Sequence, residues 1–248
     1  GLLRPGKTVR FLEAVERFLY RRANHIAVIS EVFRHNLLTK GVPPAKLTVI
    51  PNWADAEFIT PQPKHNEFRQ RLGLKDEFIV LYSGNMGYVC DLDTVLDAAA
   101  LLRDDPGIQF VLVGDGVRKG PAQERARKLG LTNVRFLPLQ PREEFPQVLA
   151  AADACLVTLA SGNAQASVPG KTYSIMAAGR PVLAVVEPVN DVHQLVVEEG
   201  LGASVRPGDA HGLAEAIRTL KADPALAEAC GRRARTVFEQ RFTIEACV

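Results

Sequence analysis

From residue 78 onwards, short apolar segments alternate with helical patterns, and this alternation restricts the fold more than any other feature. The strand-like segments are apolar on both faces, so each needs cover on both sides, and the helical segments carry apolar residues at three- and four-residue spacing. Crossover helices give that cover in a doubly wound parallel sheet, so the predicted fold is a Rossmann-like α/β domain. The predicted strands are FIVLYSG at 78, FVLVGDG at 110, VRFLPL at 134, ACLVTL at 154, PVLAVV at 181 and GASVRP at 202.

The first sixty residues do not continue this pattern. They predict a long helix over 8–24, a strand HIAVIS, a helix EVFRHNLLTKG and a strand KLTVIPN. This amounts to about one and a half α/β units, which cannot close a sheet, so the apolar faces of these strands need packing partners elsewhere. We therefore predict a partial amino-terminal domain over 1–60 and an α/β domain over 65–248. The polar, proline-bearing segment PQPKHNEFRQ at 61–70 is the predicted linker.

Composition excludes several classes of function. The 248 residues contain 30 Lys plus Arg against 28 Asp plus Glu, a net charge of +2 with the two signs interspersed, which argues against nucleic acid as a partner. The four cysteines form no C-x-x-C pair and no Cys/His cluster, which indicates a reducing compartment without structural zinc. No apolar run approaches the roughly 20 residues of a membrane span. The amino terminus has neither a signal-peptide pattern nor an initiator Met, as expected of a chain that begins within a longer protein.

Two glycine-containing loops follow predicted strands, and ligands of open α/β sheets bind at such carboxyl ends. The first is SGNMG at 83–87, where Gly84 and Gly87 would let a ligand approach the backbone; an ordinary glycine turn is the alternative. The second is GDG at 114–116, followed by Gly120. It departs from the dinucleotide fingerprint because the third glycine comes one residue late and no acidic residue closes the next strand, so an NAD site is disfavoured.

The third loop, SGNAQASVPGKTYSIMAAGRPVLA at 161–184, runs into a helix whose first turn carries Lys171. Free backbone N–H groups at a helix start, together with a lysine, favour binding of a diphosphate. An ATPase P-loop is excluded on spacing, because it would need glycine at the position of Gln165. The alternative for Lys171 is a solvated lysine at a helix start. We expect all three loops to lie at one edge of the sheet.

Five segments, taken in order, resemble the carboxyl-terminal region of the retaining GT-B glycosyltransferases, in particular the branch that makes colanic acid, capsule and lipopolysaccharide O-antigen. They are AVISEVFRHNLLTKGVPPAKLTVIPNWAD, VLYSGNMG, DLDTVLDAA, VGDG and SVPGKTYSIMAAGRPVLA. The resemblance covers nearly the whole chain. It implies a Rossmann-like domain that binds a nucleotide-sugar, with UDP favoured, and a facing domain that binds a glycan or lipid-linked acceptor.

By this resemblance, residues 1–60 belong to the acceptor-binding domain and residues 65–248 form the donor-binding domain. The rest of the acceptor half would lie outside the chain, so the chain alone would bind a donor without catalysing transfer. The enzyme would be cytoplasmic, with peripheral membrane association left open, and would need no cofactor or metal. The donor-binding residues implied by the resemblance are Gly84, Asn85, Met86, Gly87, Gly114, Asp115, Leu137, Pro138, Leu139, Val168, Pro169, Gly170, Lys171 and Ser174.

The sequence departs from the family pattern at two places. Ala166 and Ser174 stand where the family carries a pair of glutamates, the second of which holds the ribose, so ribose recognition would be weakened or reassigned. Cys90 stands where many relatives carry a phosphate-binding lysine, and Lys171 would compensate for that charge.

Two other functions remain open. One is a nucleotide-sugar epimerase, for which the candidate acid/base cluster is His193 with Asp191 and Glu198. The other is a non-catalytic nucleotide-binding module, since a fold does not fix a function.

Overall fold

The structure is a computed structural model that describes residues 6–162 and 167–247. In that part of the chain the strands are β1 (Ile26–Val28), β2 (Leu47–Val49), β3 (Phe78–Ser83), β4 (Ile108–Val113), β5 (Val134–Leu137), β6 (Ala154–Thr158), β7 (Val182–Val185) and β8 (Gly202–Val205). The α-helices are α1 (Lys7–Arg22), α2 (Glu31–Thr39), α3 (Glu67–Arg71), α4 (Leu92–Leu101), α5 (Lys119–Lys128), α6 (Phe145–Ala150), α7 (Lys171–Ala177), α8 (Asp191–Glu198), α9 (Ala210–Ala222), α10 (Pro224–Arg241) and α11 (Ile244–Cys247).

Strands β3 to β8 form one parallel sheet in the order β5-β4-β3-β6-β7-β8, which confirms the predicted α/β fold. The order reverses between β3 and β6, the arrangement of a doubly wound sheet. Strands β3 and β4 pair over six positions. In contrast, β3 and β6 pair over only two, Val80 with Ala154 and Leu81 with Cys155. The sheet therefore consists of two three-stranded halves joined by a short seam.

Both faces of the sheet are covered by helices, as expected for strands that are apolar on both sides. Alternate residues of β3 enter different cores. Ile79 and Leu81 belong to a cluster with residues of α7 and α10, whereas Val80 and Tyr82 belong to a cluster with residues of α4 and α9. The core of the domain is thus two apolar layers separated by the sheet.

The amino-terminal region forms a separate two-stranded parallel sheet, in which Ile26 pairs with Leu47. A small cluster of its own, including Val28 and Leu37, holds this unit together. Ile29 packs against the larger core, as predicted, whereas Ile26 and Val49 pack within the small cluster, so the prediction that these strands need partners elsewhere is wrong for them. Two strands and their helices bury too little apolar surface to form an independent domain.

The prediction of a linker over 61–70 is wrong for its second half. Asn66 caps α3, its side-chain oxygen accepting a hydrogen bond from the backbone N–H of Arg69 at 3.1 Å. Phe68 is buried, and Arg69, only 1% exposed, pairs with Asp153 at 2.7 Å. The segment is polar in sequence, yet its arginine is buried because it pairs with a carboxylate elsewhere in the chain. The sequence of the segment alone does not reveal that partner.

Candidate functional site

The loops after β3 and β4 pack backbone against backbone at the carboxyl edge of the sheet. The N–H of Gly84 donates to the carbonyl of Val113 at 2.9 Å, and the N–H of Met86 donates to the carbonyl of Asp115 at 2.7 Å. Gly114 has φ of 151°, and a Cβ there would lie 2.0 Å from the Gly84 oxygen. Only glycine fits such an approach, so this glycine belongs to the architecture of the edge.

The third loop reaches the same edge through Lys171, at the start of α7. The Lys171 Nζ lies 3.5 Å from the centroid of the Tyr82 ring, at the end of β3. It is also 3.1 Å from the position that a Cβ on Gly84 would occupy. The loops over 84–87, 114–116 and 167–171 therefore meet as predicted. Ala166 lies outside the described residues.

Lys171 is not the solvated lysine of the alternative interpretation. Its side chain is partly buried, and desolvation lowers the pKa of its ammonium group to about 8. Among the described residues, no carboxylate lies within ion-pair distance of it. The stack on Tyr82 is a cation–π contact, which gives only part of the stabilisation of an ion pair. Lys171 is therefore a cation at the sheet edge whose charge no carboxylate of residues 6–162 and 167–247 neutralises.

The start of α7 differs from the expected row of free N–H groups. The N–H of Thr172 donates to the carbonyl of Pro169 at 3.0 Å, and that of Tyr173 donates to the carbonyl of Gly170 at 3.1 Å. These bonds close a tight first turn, and Gly170 provides no side-chain cap. The cationic side chain of Lys171 is thus a stronger anion-binding feature of this loop than its backbone.

Cys90 lies beneath the first loop, not on its surface. The Tyr82 hydroxyl donates to the backbone carbonyl of Asn85 at 2.7 Å and lies 2.5 Å from the Cys90 sulfur. The same sulfur lies 3.5 Å from the Thr158 hydroxyl across the seam between β3 and β6. Burial raises the pKa of Tyr82, so its hydroxyl stays protonated. Cys90 therefore supports the loop from below.

The predicted contact at Met86 requires a correction. Its side chain is fully buried in the core. Its N–H donates to Asp115 and its carbonyl accepts from the N–H of Arg118 at 2.9 Å, so both backbone groups are engaged. Met86 anchors the loop and has no group left for a ligand. In contrast, Asn85 is exposed at the edge.

The remaining predicted residues differ in how accessible they are. The Leu137 carbonyl accepts from the N–H of Gly114 at 3.1 Å, which ties the end of β5 to the second loop. Val168 is buried and Ser174 is half-buried. The other accessible positions at this edge are Gly87, Asp115, Pro138, Leu139, Pro169 and Gly170.

Lys119, at the start of α5, is a second cation at this edge that the sequence reasoning missed. Its Nζ donates to the carbonyl of Gly114 at 2.8 Å and lies 4.0 Å from the Asp115 carboxylate. The side chain is only 18% exposed. A signal was present in the sequence, since a basic pair, Arg118 and Lys119, follows GDG after a single valine. The neighbouring Arg118 instead pairs with Asp93 at 2.6 Å.

The histidine and the aspartate of the candidate epimerase cluster form no hydrogen bond or ion pair with each other. His193 Nδ1 lies 2.9 Å from the Ser204 hydroxyl on β8, whereas Asp191 accepts a hydrogen bond from the Val32 N–H at 3.4 Å. The two side chains therefore serve different contacts. Within residues 6–162 and 167–247, no group of three or more His, Cys, Asp or Glu side chains could hold a metal ion. The same residues contain no helix long and apolar enough to cross a membrane.

The parallel sheet and its glycine-lined carboxyl edge with two cations define a ligand-binding α/β domain of Rossmann type. The chain belongs to the glycosyl transferases group 1 family, whose profile matches residues 64–237. A second profile, glycosyl transferase 4-like domain, matches residues 2–53.

The chain is similar to proteins that are named as glycosyltransferases. WcaI of Escherichia coli K12, named as a colanic acid biosynthesis glycosyl transferase, is 32% identical over 222 residues, covering 88% of this chain and 54% of WcaI. WbjE of Pseudomonas aeruginosa, named as a glycosyltransferase, is 29% identical over 209 residues, covering 84% of this chain and 52% of WbjE. The chain thus spans about half the length of these relatives.

Solved structures of GT-B enzymes share the fold. Sucrose-phosphate synthase from Thermosynechococcus elongatus superposes with a TM-score of 0.80 and 26% identity, covering 98% of this chain and 61% of that structure. HepE of Anabaena, in complex with UDP-glucose, superposes with a TM-score of 0.82 and 23% identity, covering 95% of this chain and 64% of that one.

Proposed function

We propose that this chain is the donor-binding part of a retaining glycosyltransferase that transfers a sugar from a UDP-linked donor to a glycan or lipid-linked acceptor of a surface polysaccharide. Family membership supports the reaction class. The similarity to WcaI supports the kind of product, and the fold shared with a UDP-glucose complex of HepE supports the donor.

The observation that carries the proposal is the unneutralised charge of Lys171. A desolvated ammonium group without a carboxylate partner is costly, and a diphosphate would supply the missing negative charge. The absence of a side chain on Gly84 lets the Lys171 ammonium group lie close to the backbone of the first loop, since an added Cβ would be 3.1 Å from its Nζ. Lys119, whose Nζ donates to the carbonyl of Gly114, would add a second positive charge at the same edge.

This arrangement suits departure of a nucleoside diphosphate. As the bond from sugar to phosphate breaks, negative charge accumulates on the leaving diphosphate, and fixed cations stabilise that charge in the transition state more than in the ground state. Lys171 is held over the Tyr82 ring before any ligand arrives, so little reorganisation is needed. In this proposal Lys171 positions and stabilises the leaving group.

The proposed division of labour places the acceptor on the amino-terminal side. Residues 1–60 would belong to an acceptor-binding domain, and residues 65–248 would bind the donor. Helix α1 supports this division, because it presents Phe11, Phe18 and Leu19 exposed on its surface, an apolar face suited to packing against further parts of such a domain. The proposed location is the cytoplasm, close to the source of nucleotide-sugars.

Calorimetric titration with UDP and uridine tests the role of Lys171. Lys171→Ala is expected to weaken UDP binding by about 1.5–3 kcal/mol, the range for a hydrogen bond to a charged group, and to leave uridine binding nearly unchanged. Lys128→Ala is the matched control, because Lys128 is 70% exposed on α5 and should leave both ligands unaffected. An equal loss for both ligands, or no loss for either, would remove Lys171 from the phosphate site.

The same assay separates the competing functions. A donor-binding domain should discriminate among UDP, GDP and their sugars, and its contacts should include Asn85, Gly87, Asp115, Pro138, Leu139, Pro169 and Ser174. Binding of diphosphates without preference for any attached sugar would favour a non-catalytic nucleotide-binding module. If none of these nucleotides binds, both the donor-binding domain and the nucleotide-binding module are contradicted.

A further inference from the structure

A cavity of about 730 Å³ lies at the amino edge of the sheet, opposite the loops that carry the proposed donor site. Its walls include Phe78 at the start of β3, Asp153 just before β6 and Pro181 just before β7. Helix α10 contributes Ala227 and Arg235 from the other side. The volume is within the range of small-molecule sites, and the cavity shares no lining residue with the carboxyl edge.

Arg180 is the one guanidinium on this wall that faces the cavity without an ion-pair partner among the described residues. One of its Nη atoms donates to the backbone carbonyl of Gln62 at 2.6 Å. Its Nε is buried and, within the described chain, has no hydrogen-bond partner. A buried donor without an acceptor is costly, and a guanidinium presents its donors in a plane suited to an oxyanion.

The nearby carboxylate of Asp153 forms its ion pairs with two other cations and not with Arg180. Asp153 accepts hydrogen bonds from Arg69 at 2.7 Å, from Lys64 at 2.8 Å and from the backbone N–H of Ile79 at 2.8 Å. Two cations of the wall, Lys64 and Arg180, and the buried Arg69 behind it thus share one carboxylate. The excess positive charge is the second observation that points to an anionic ligand.

The other charges around the cavity do not cancel this excess. Lys221 pairs with Asp105 at 2.6 Å, and Arg232 pairs with Glu228. Asp76 also lines the cavity but is exposed, so its charge is screened by water. Much of the remaining wall is apolar, as formed by Pro61, Phe78, Pro181, Leu220, Pro224 and Ala227.

We propose that this amino-edge cavity binds a small organic oxyanion, a phosphate monoester or carboxylate on a compact apolar body, with Arg180 as its main anion contact. The oxyanion accepts from the guanidinium, and the apolar body packs against the proline and leucine side chains. This site is separate from the donor site and does not depend on the function proposed for it.

Titration of the ¹⁵N-labelled chain with phenyl phosphate, benzoate and benzyl alcohol tests the proposal by NMR. The two anions are expected to shift amide signals of residues that line the cavity, with dissociation constants on the order of 1 mM, whereas the neutral benzyl alcohol binds at least tenfold more weakly. Inorganic phosphate, which lacks the apolar body, should bind more weakly than phenyl phosphate.

Variants decide whether Arg180 is responsible. Arg180→Gln is expected to weaken binding of both anions at least tenfold, and Arg180→Lys, which keeps the charge, less so. Arg232→Gln is the matched control on the same cavity and should change binding less than twofold, because Arg232 is exposed and paired. Lys171→Ala should leave the signals at this edge unchanged. The unperturbed amide spectrum of each variant without ligand reports that it is folded.

Three outcomes would overturn the proposal. One is that neither anion shifts signals at the cavity at millimolar concentration. Another is equal binding of benzyl alcohol and benzoate, which would identify an apolar cavity with no anion contact. The third is loss of binding in Arg232→Gln as large as in folded Arg180→Gln, which would mean that surface charge and not Arg180 attracts the anion.

Discussion

Two buried cations, one at each edge of the sheet, are compensated in opposite ways. At the amino edge, Arg69 is almost inaccessible and its charge is matched by Asp153, which accepts two further hydrogen bonds. At the carboxyl edge, Lys171 is partly buried, has no carboxylate partner among the described residues and stacks only on Tyr82. The charge of Arg69 is balanced by a carboxylate of the protein, whereas no carboxylate of the described residues balances the charge of Lys171.

This difference indicates which charges serve the fold and which serve a ligand. A buried ion pair becomes a liability when one partner is removed, because the other charge stays behind in the core. An unpaired, desolvated lysine adds little to the free energy of unfolding, so its presence needs another explanation. Substitutions at the two edges should therefore have opposite signatures in stability and in binding.

The largest expected effect is on stability at the amino edge. Asp153→Ala leaves Arg69 buried without a counter-charge and should lower the free energy of unfolding by about 3–5 kcal/mol, measured by urea denaturation. Lys64→Ala removes another partner of the same carboxylate. Because Lys64 is 43% exposed, this change should lower the free energy of unfolding by only about 0–1 kcal/mol. Similar losses for both variants would mean that burial does not set the strength of this ion pair.

The next effect concerns the glycines of the carboxyl edge. Gly114→Ala would place a Cβ 2.0 Å from a backbone oxygen, so we expect a loss of about 2–4 kcal/mol in stability together with weaker UDP binding. Gly120→Ala is the control, because Gly120 is in α5 with no atom within 4 Å of the added Cβ and should be neutral or stabilising. A stable Gly114→Ala variant that binds UDP normally would contradict the close packing of these loops.

The pH dependence of UDP binding gives a smaller but more specific effect. The pKa of Lys171 in the folded protein is about 8, below its ordinary value, so the free protein loses this charge as the pH rises through 8. UDP requires the charged form, so its affinity should be constant below pH 7 and fall up to tenfold per pH unit above 8. Titrations at pH 7, 8 and 9 measure this slope.

Lys171→Arg serves as the control for that slope, because a guanidinium stays protonated throughout the range and its UDP affinity should be flat. Lys171 also makes the stability of the fold depend on pH, but in the opposite direction to UDP affinity. Between pH 8 and the ordinary pKa of lysine, the unfolded chain binds the proton and the folded chain does not, so this residue makes stability rise with pH. A slope in UDP affinity that persists in Lys171→Arg would assign it to another group.

The smallest expected effect belongs to Lys119. Its Nζ already donates to the carbonyl of Gly114, so only part of its charge is available to a ligand. Lys119→Ala should weaken UDP binding by about 0.5–1.5 kcal/mol, which is less than the loss expected for Lys171→Ala. Calorimetry under the same conditions measures both losses. A larger loss than for Lys171→Ala would reverse the proposed ranking of the two cations.

The fold was largely predictable from the sequence, because each strand of the main sheet is a short apolar run bounded by glycine, proline or polar residues. The segment over 61–70 was not predictable, since Arg69 is buried against Asp153 and Phe68 is buried in the main core, and both partners are distant in sequence. The site was predictable only as a set of loops at one edge. The burial of Met86, the stack of Lys171 on Tyr82 and the approach of Lys119 to Gly114 arise from tertiary packing.

The short seam between β3 and β6 has a consequence for how the domain assembles. The pairs β3 with β4 and β6 with β7 each join strands that are neighbours along the chain, so each half of the sheet closes through a local crossover. The seam instead joins strands that are far apart along the chain, and it does so through only two residue pairs, Val80 with Ala154 and Leu81 with Cys155. Joining such distant segments costs the most chain entropy for the fewest new bonds, so the halves should form first and dock late. Cys90 and Thr158, which meet across the seam, would then reach their final positions in that last step, and the carboxyl edge would become able to bind a ligand only when folding is complete.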